Sequence, residues 1–305
     1  MSGIATCVVT CWAVGLMLAG AVGNAYGVNF EDIKNFSPGR DKNIVFKKNQ
    51  ATFYGVQLVA KGSSLVVSLG GKKLFTLEDE WMGYPVVLGE SVKVARDFPQ
   101  PGMDTLLTSM VCGKGCEETR LLTWTGTDIL ELGFDFGGMT SDAPTPAGAF
   151  AVLYEPFYGY WPGKYTSPKA YKHDARVCLE CLEMNSGWHS AFIVFVQFKD
   201  GKWVVDAPLT RYDEYALLMK VSAAKMPQAT DRDLIRKELF CSTVEATFYA
   251  FMAGARDDQA AHLLAKGIPE PLRAKATHLV LADIKEVIKE LATPELLKQR
   301  TLRGK

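Results

Sequence analysis

The chain has no surplus of either charge, only four histidines, no short motif of a common enzyme class and, after its first thirty residues, no long apolar run. Each absence excludes something. With 34 Lys+Arg against 34 Asp+Glu and a pI near 6.9, there is no basic footprint of the kind that nucleic-acid binding requires. HExxH, GxSxG, the Walker phosphate loop and GxGxxG are all missing, which removes support for the commonest motif-bearing hydrolases, kinases and dehydrogenases. A hydrophobic content of 48% is too high for a disordered chain. The 305 residues suit one large or two small domains, either able to bury a core.

What is present begins at the N-terminus. Residues 1–30 carry no charged side chain, and Ile4 to Val22 is nearly continuous apolar sequence. Ala19-Gly20-Ala21 and Ala25-Tyr26-Gly27 both offer small residues at the −3 and −1 positions of a signal-peptidase site. Residues 1–27 are therefore read as a signal peptide, with a mature start between Val22 and Val28, in a periplasmic or secreted protein. The n-region lacks Lys and Arg, and the apolar run is long enough to span a bilayer, so an uncleaved N-terminal membrane anchor is the alternative. Cys7 and Cys11 precede most of that run and leave with a cleaved signal. No later stretch is long and apolar enough to cross a membrane.

From about residue 42 to 206, short β-branched and aromatic runs alternate with Gly, Pro and Asp turns, the signature of antiparallel strands. The runs are Thr52–Ala60, Ser64–Leu69, Leu74–Leu77, Thr105–Cys112, Arg120–Trp124, Ile129–Phe134, Phe150–Tyr154, Phe192–Phe198 and Trp203–Asp206. Hairpins are marked at Leu69-Gly70-Gly71-Lys72, at Trp124-Thr125-Gly126-Thr127 and at Phe198-Lys199-Asp200-Gly201-Lys202-Trp203, where Gly and Asp tolerate positive φ. Gly137 to Pro146 reads as a loop. After Pro208 the pattern is helical: Tyr212–Ala224, then a helix opened by Asp231-Arg232-Asp233 with Cys241, Val244, Phe248 and Phe251 on one face, a short helix Asp258–Lys266, and a longer one with Val280, Ile284, Val287, Ile288 and Leu291 on one stripe. Pro294 starts a last short turn, followed by a solvated basic tail of Lys298, Arg300, Arg303 and Lys305. The fold class is α+β: an antiparallel β-rich module over 28–208 and a helical module over 209–305.

Five cysteines follow the signal: Cys112, Cys116, Cys178, Cys181 and Cys241. In an exported protein disulfides are the default, and Cys112-Gly113-Lys114-Gly115-Cys116 spans a hairpin loop that a local bridge would staple. Cys178 and Cys181 fit a second local bridge, a cross-link to the first pair, a redox pair, or half of a metal site. A zinc site would combine Cys112, Cys116, Cys178 and Cys181, with His173 and His189 as substitutes. Leu182 stands where covalent haem attachment needs His. Cys241 lies on an apolar helical stripe and reads as core. His262 sits beside Leu263 and Leu264 and reads as structural. From Tyr154 to His173 the chain concentrates Phe157, Tyr158, Tyr160, Trp161, Tyr165 and Tyr171 among glycines and prolines. Such a segment either packs as a lid or presents aromatic platforms to a glycan or an extended peptide. Tyr158, Tyr160, Trp161 and Tyr165, with Trp188, are the candidate ligand-binding residues.

The Cys112-Gly113-Lys114-Gly115-Cys116 turn followed by Leu121-Leu122-Thr123-Trp124-Thr125-Gly126, and Phe198-Lys199-Asp200-Gly201-Lys202-Trp203 leading into helices, resembles a loose group of exported bacterial proteins of unknown function. These pair a β-rich module carrying a Cys-Gly…Gly-Cys hairpin with a helical C-terminal module. The resemblance spans about residues 104–290 and implies location and architecture, with no activity, catalytic residue or cofactor.

The sequence thus reads as an exported, non-enzymatic binding or envelope-interaction protein with a protein, peptide or glycan ligand and no nucleic acid. Its rival is a zinc-dependent hydrolase or thiol-disulfide enzyme using Cys178, Cys181, His173 and His189. A third reading makes every cysteine and aromatic structural. Intact mass of the exported chain, native and denatured, with and without reduction and alkylation, is expected to show an N-terminus near Val22 or Val28, four oxidised thiols and no metal. Retained zinc with Cys112, Cys116, Cys178 and Cys181 reduced would put metal chemistry first.

Overall fold

The computed structural model describes residues 28–36, 42–79, 83–113, 116–134, 139–140, 148–154, 192–224, 232–268, 270, 273–293 and 296–302. An α+β fold results, with three antiparallel sheets and helices gathered toward the C-terminus.

The five-stranded sheet is a meander of β2 (Ile44–Lys47), β3 (Gln50–Phe53), β4 (Val56–Lys61), β5 (Ser64–Leu69) and β6 (Lys72–Glu78). Its hairpins are two-residue turns. Gly70 and Gly71, at φ 57° and 78°, supply the left-handed pair that such a turn needs, as the sequence predicts. The run Thr52–Ala60 is broken in two, because Tyr54 and Gly55 adopt φ 47° and 85° and reverse the chain between Phe53 and Val56.

The six-stranded sheet has the order β1 (Glu31–Asp32), β7 (Val92–Ala95), β8 (Asp104–Gly113), β9 (Cys116–Trp124), β10 (Ile129–Phe134), β15 (Lys298–Leu302). A short helix α1 (Leu88–Ser91) leads into β7. The leucine doublets explain its position. Leu106, Leu122 and Ile129 point into the core shared with the five-stranded sheet, while Leu107, Leu121, Leu130 and Leu132 point into a second core. Alternation along a strand sends neighbours to opposite faces, so the central strands of this sheet are buried on both.

The four-stranded sheet runs β11 (Met139–Thr140), β12 (Ala149–Tyr154), β13 (Phe192–Lys199), β14 (Lys202–Val205). β11 falls within the stretch 137–146 that the sequence assigns to a loop. The second core joins this sheet to α2 (Tyr212–Ala224), α3 (Arg232–Met252), α4 (Asp257–Ala265) and α5 (Arg273–Leu291). The predicted helix faces are the buried ones: Val244, Phe248 and Phe251 on α3, with Cys241 also buried, and Val280, Ile284, Val287 and Leu291 on α5. Among the described residues, no helix is long and apolar enough to cross a membrane.

One expectation is corrected at the C-terminus. Lys298 to Leu302 form a strand rather than a loose tail, paired with β10 from Gly133↔Lys298 to Ile129↔Leu302, on which Lys298 and Arg300 stay exposed as expected. Leu302 is buried, Arg300 donates from Nε to the buried Glu131 carboxylate at 2.8 Å, and Gln299 accepts from Trp203 N–H and donates to Trp203 O. The Gln299 amide thereby links β15 to β14, binding one sheet to another. Arg303 and Lys305 lie outside the described residues.

β14 pairs with β13 only over Val196 to Lys199. Beyond that point two tyrosines complete the hydrogen bonding: Ile193 N–H donates to Tyr249 Oη at 2.9 Å and Phe195 N–H to Tyr215 Oη at 3.3 Å. Burial pushes both phenols above their usual range, so they remain neutral. Tyr249→Phe leaves the Ile193 N–H without its acceptor and is expected to destabilise the chain by about 1–3 kcal/mol, measured by urea denaturation.

Candidate functional site

Most residues singled out from the sequence, namely Tyr158, Tyr160, Trp161, Tyr165, Trp188, His173, His189, Cys178 and Cys181, fall in 155–191, outside the described residues. The roots of that segment are placed: Tyr154 and Phe192 are paired where β12 hands over to β13. Burial, with the Glu290 charge, pushes the Tyr154 phenol up to about 12. Cys112 and Cys116 sit at the facing ends of β8 and β9, with Gly113 opposite Cys116 and an irregularity between Val111 and Gly113. Their side chains are outside the described part. Among the described residues there is no disulfide and no group of three metal-ligating side chains.

The buried acids are engaged in structural contacts. Asp104 accepts from Tyr54 Oη at 2.6 Å, Arg96 Nη1 at 2.5 Å and the Asp97 N–H at 3.2 Å. Glu131 is held between Arg300 and Arg120, and Arg120 in turn clasps Glu118. Asp206 pairs with Arg211, which also reaches Gln197.

A different arrangement occurs where the turns of two sheets converge. The first turn, between β9 and β10, is locked by Thr125: its N–H and hydroxyl both donate to Asp128 O, at 2.9 and 3.0 Å. The second, between β7 and β8, is cinched by Phe98 N–H to Met103 O at 2.8 Å and by Gly102 N–H to the Asp97 carboxylate at 2.8 Å. The third is the β13–β14 hairpin, where Asp200 and Gly201 take φ 51° and 77°, the conformation a two-residue turn requires. Together with Leu130 and Thr301, a cross-strand pair of β10 and β15, these turns enclose an open cleft of about 400 Å³.

The cleft is lined by Gln100, Met103, Thr125, Asp128, Leu130, Phe198, Asp200, Gly201 and Thr301. Leu130 is buried and Phe198 and Met103 are half-buried. Behind them Trp203 is fully buried, its ring 5.3 Å from Phe198, 5.8 Å from Phe98 and 5.1 Å from Phe150. This aromatic cluster joins the hairpin to the loop after β7, so the walls are fixed relative to one another. Asp128 and Asp200 bring negative charge to the lining, and among the described residues no lining side chain is basic. Two of the three turns are among the hairpins marked in the sequence. Their meeting was not legible, because it depends on β15 returning beside β10.

Compared with protein-family models, with curated proteins and with solved structures, the chain matches none.

Asp206 sets a pH dependence. Burial, opposed by the Arg211 ion pair, pushes its carboxyl up to about 6, while the unfolded chain releases that proton near 3.9. Between those values the folded state holds a proton that the unfolded state has lost, so this group's contribution to stability is present at low pH and declines as pH rises through about 6. The decline is expected to be about 2 kcal/mol between about pH 4 and pH 7, read as the urea-denaturation difference between the native chain and Asp206→Asn. A flat difference over that range would refute it.

Proposed function

We propose that this chain is an exported, non-enzymatic binding or envelope-interaction protein, and that the cleft between the turns of its six- and four-stranded sheets is a contact site for its ligand. One observation carries the reading: an open cleft of about 400 Å³, a size typical of ligand sites, has hydrogen-bonding groups on three turns that are themselves locked by hydrogen bonds or turn geometry. Preorganised walls lower the entropic cost of association. The buried carboxylates of Asp104, Glu131 and Asp206 are each matched to an arginine, which gives them a structural use. Export rests on the N-terminal apolar segment of the sequence.

The test is a thermal-shift screen of the mature chain against defined peptides and oligosaccharides, repeated with Gln100→Trp. Gln100 is exposed and lines the cleft, so a bulky ring there blocks the site with little effect on the fold. A ligand is expected whose stabilisation disappears in Gln100→Trp, with no chemical conversion of that ligand seen by mass spectrometry. Turnover of a panel member, or binding indifferent to Gln100→Trp, would overturn the proposal.

A further inference from the structure

We infer that the cleft receives a basic side chain, lysine or arginine, presented by a partner polypeptide. The inference rests on the reading of this chain as a binding protein and specifies what it binds.

Three features of the lining point the same way. Among the described residues, the acidic side chains lining the cleft are Asp128 and Asp200, with no basic one beside them. Lys199 and Lys202 flank the turn but are not among the cleft-lining residues, so the charge the lining presents is negative. Leu130, Met103 and Phe198 provide the apolar part of the lining, suited to the methylene stem that lysine and arginine carry behind the charge. The Gln100 amide oxygen and the Thr125 and Thr301 hydroxyls can accept the further N–H donors of an ammonium or guanidinium, beside the charge-assisted bonds to the carboxylates. The cleft is open and built from turn tips, so an occupant stays partly in water, which suits a side chain projecting from another surface better than an engulfed small molecule.

The turns make the decisive variants structurally conservative. Asp200 occupies the left-handed region at φ 51°, which asparagine tolerates at least as well. Asp128 accepts from the Thr127 hydroxyl at 3.4 Å, a role that an asparagine amide oxygen also fills. Asp128→Asn with Asp200→Asn therefore removes charge and keeps shape.

The experiment is an amide chemical-shift titration of the isotope-labelled mature chain with blocked Gly-Ser-X-Ser-Gly peptides, where X is lysine, arginine, norleucine or glutamate, and with agmatine as a free cation. The lysine and arginine peptides are expected to shift the amides of Thr125, Asp128, Gly201 and Thr301. Their affinity should exceed that of the norleucine peptide by about tenfold and fall by about tenfold in the double asparagine variant, with a similar loss on raising salt from about 20 mM to about 500 mM. Equal binding of the norleucine or glutamate peptide would overturn the basic-side-chain inference while leaving the binding reading in place. Agmatine binding tighter than either basic peptide would overturn the polypeptide source. If no peptide shifts these amides although a screened ligand still depends on Gln100, the inference falls alone; if no ligand depends on Gln100, the underlying reading falls with it.

Discussion

The Asp104 carboxylate, 8% exposed, is the point on which the β-rich part of the molecule turns. Burying an anion is unfavourable unless its lone pairs are matched, and here they collect donors from three places: the Tyr54 hydroxyl of the five-stranded sheet, the Arg96 guanidinium at the end of β7, and the Asp97 N–H that begins the next loop. Tyr54 stacks on Trp124 with ring centroids 4.6 Å apart, and Arg96 lies over the Phe36 ring. One acid therefore joins two sheets and fixes where the loop after β7 starts. That loop reaches the cleft with Gln100 and Met103. The same contacts hold Tyr54 at positive φ, a conformation that a bulky residue keeps only when its surroundings enforce it.

A sheet buried on both faces imposes a second constraint, on composition. Many side chains of its central strands lie in one core or the other, so the polar ones buried among them need internal partners. β8 and β9 meet this with threonine. Thr105 and Thr123 are fully buried and share a hydrogen bond at 3.1 Å, while Thr105 also donates to Phe98 O. Threonine is β-branched, which suits a strand, and carries one hydroxyl that can both donate and accept. The Phe98 contact again ties a core pair to the loop that shapes the cleft.

What could be read from the sequence follows from how local each feature is. The Gly70-Gly71 and Asp200-Gly201 turns are visible because positive φ has a compositional signature, and the apolar stripes of α3 and α5 are visible because helical periodicity is local. The Tyr54-Gly55 reversal was hidden: a tyrosine at φ 47° has no such signature, and its support comes from Asp104, fifty residues away. The strand β15 was hidden more deeply. Lys298, Gln299 and Arg300 look like a solvated tail until their partners are known, and those are Trp203 and Glu131, 96 and 169 residues distant. The cleft inherits this: Thr125, Asp200 and Gly201 were in marked hairpins and Asp128 directly follows one, but only the return of β15 and the aromatic contacts of Trp203 bring them together. The aromatic-rich stretch Tyr154 to His173, prominent by composition, lies outside the described residues from 155 onward.

The root of that stretch and the cleft share one strand. β13 begins at Phe192, beside Tyr154 at the base of the aromatic segment, and ends at the turn carrying Asp200. Eight residues at about 3.3 Å each separate the two ends by roughly 25 Å. Along that length β13 is held by β12 on one side and by β14, Tyr215 and Tyr249 on the other, with Phe192 stacked on Phe248 at 4.2 Å. A strand held by both neighbours and by two helices resists displacement, because a shift would break buried hydrogen bonds. The turn carrying Asp200 at one end and the Tyr154–Phe192 pair at the other are therefore spaced by the length of one strand of the four-stranded sheet.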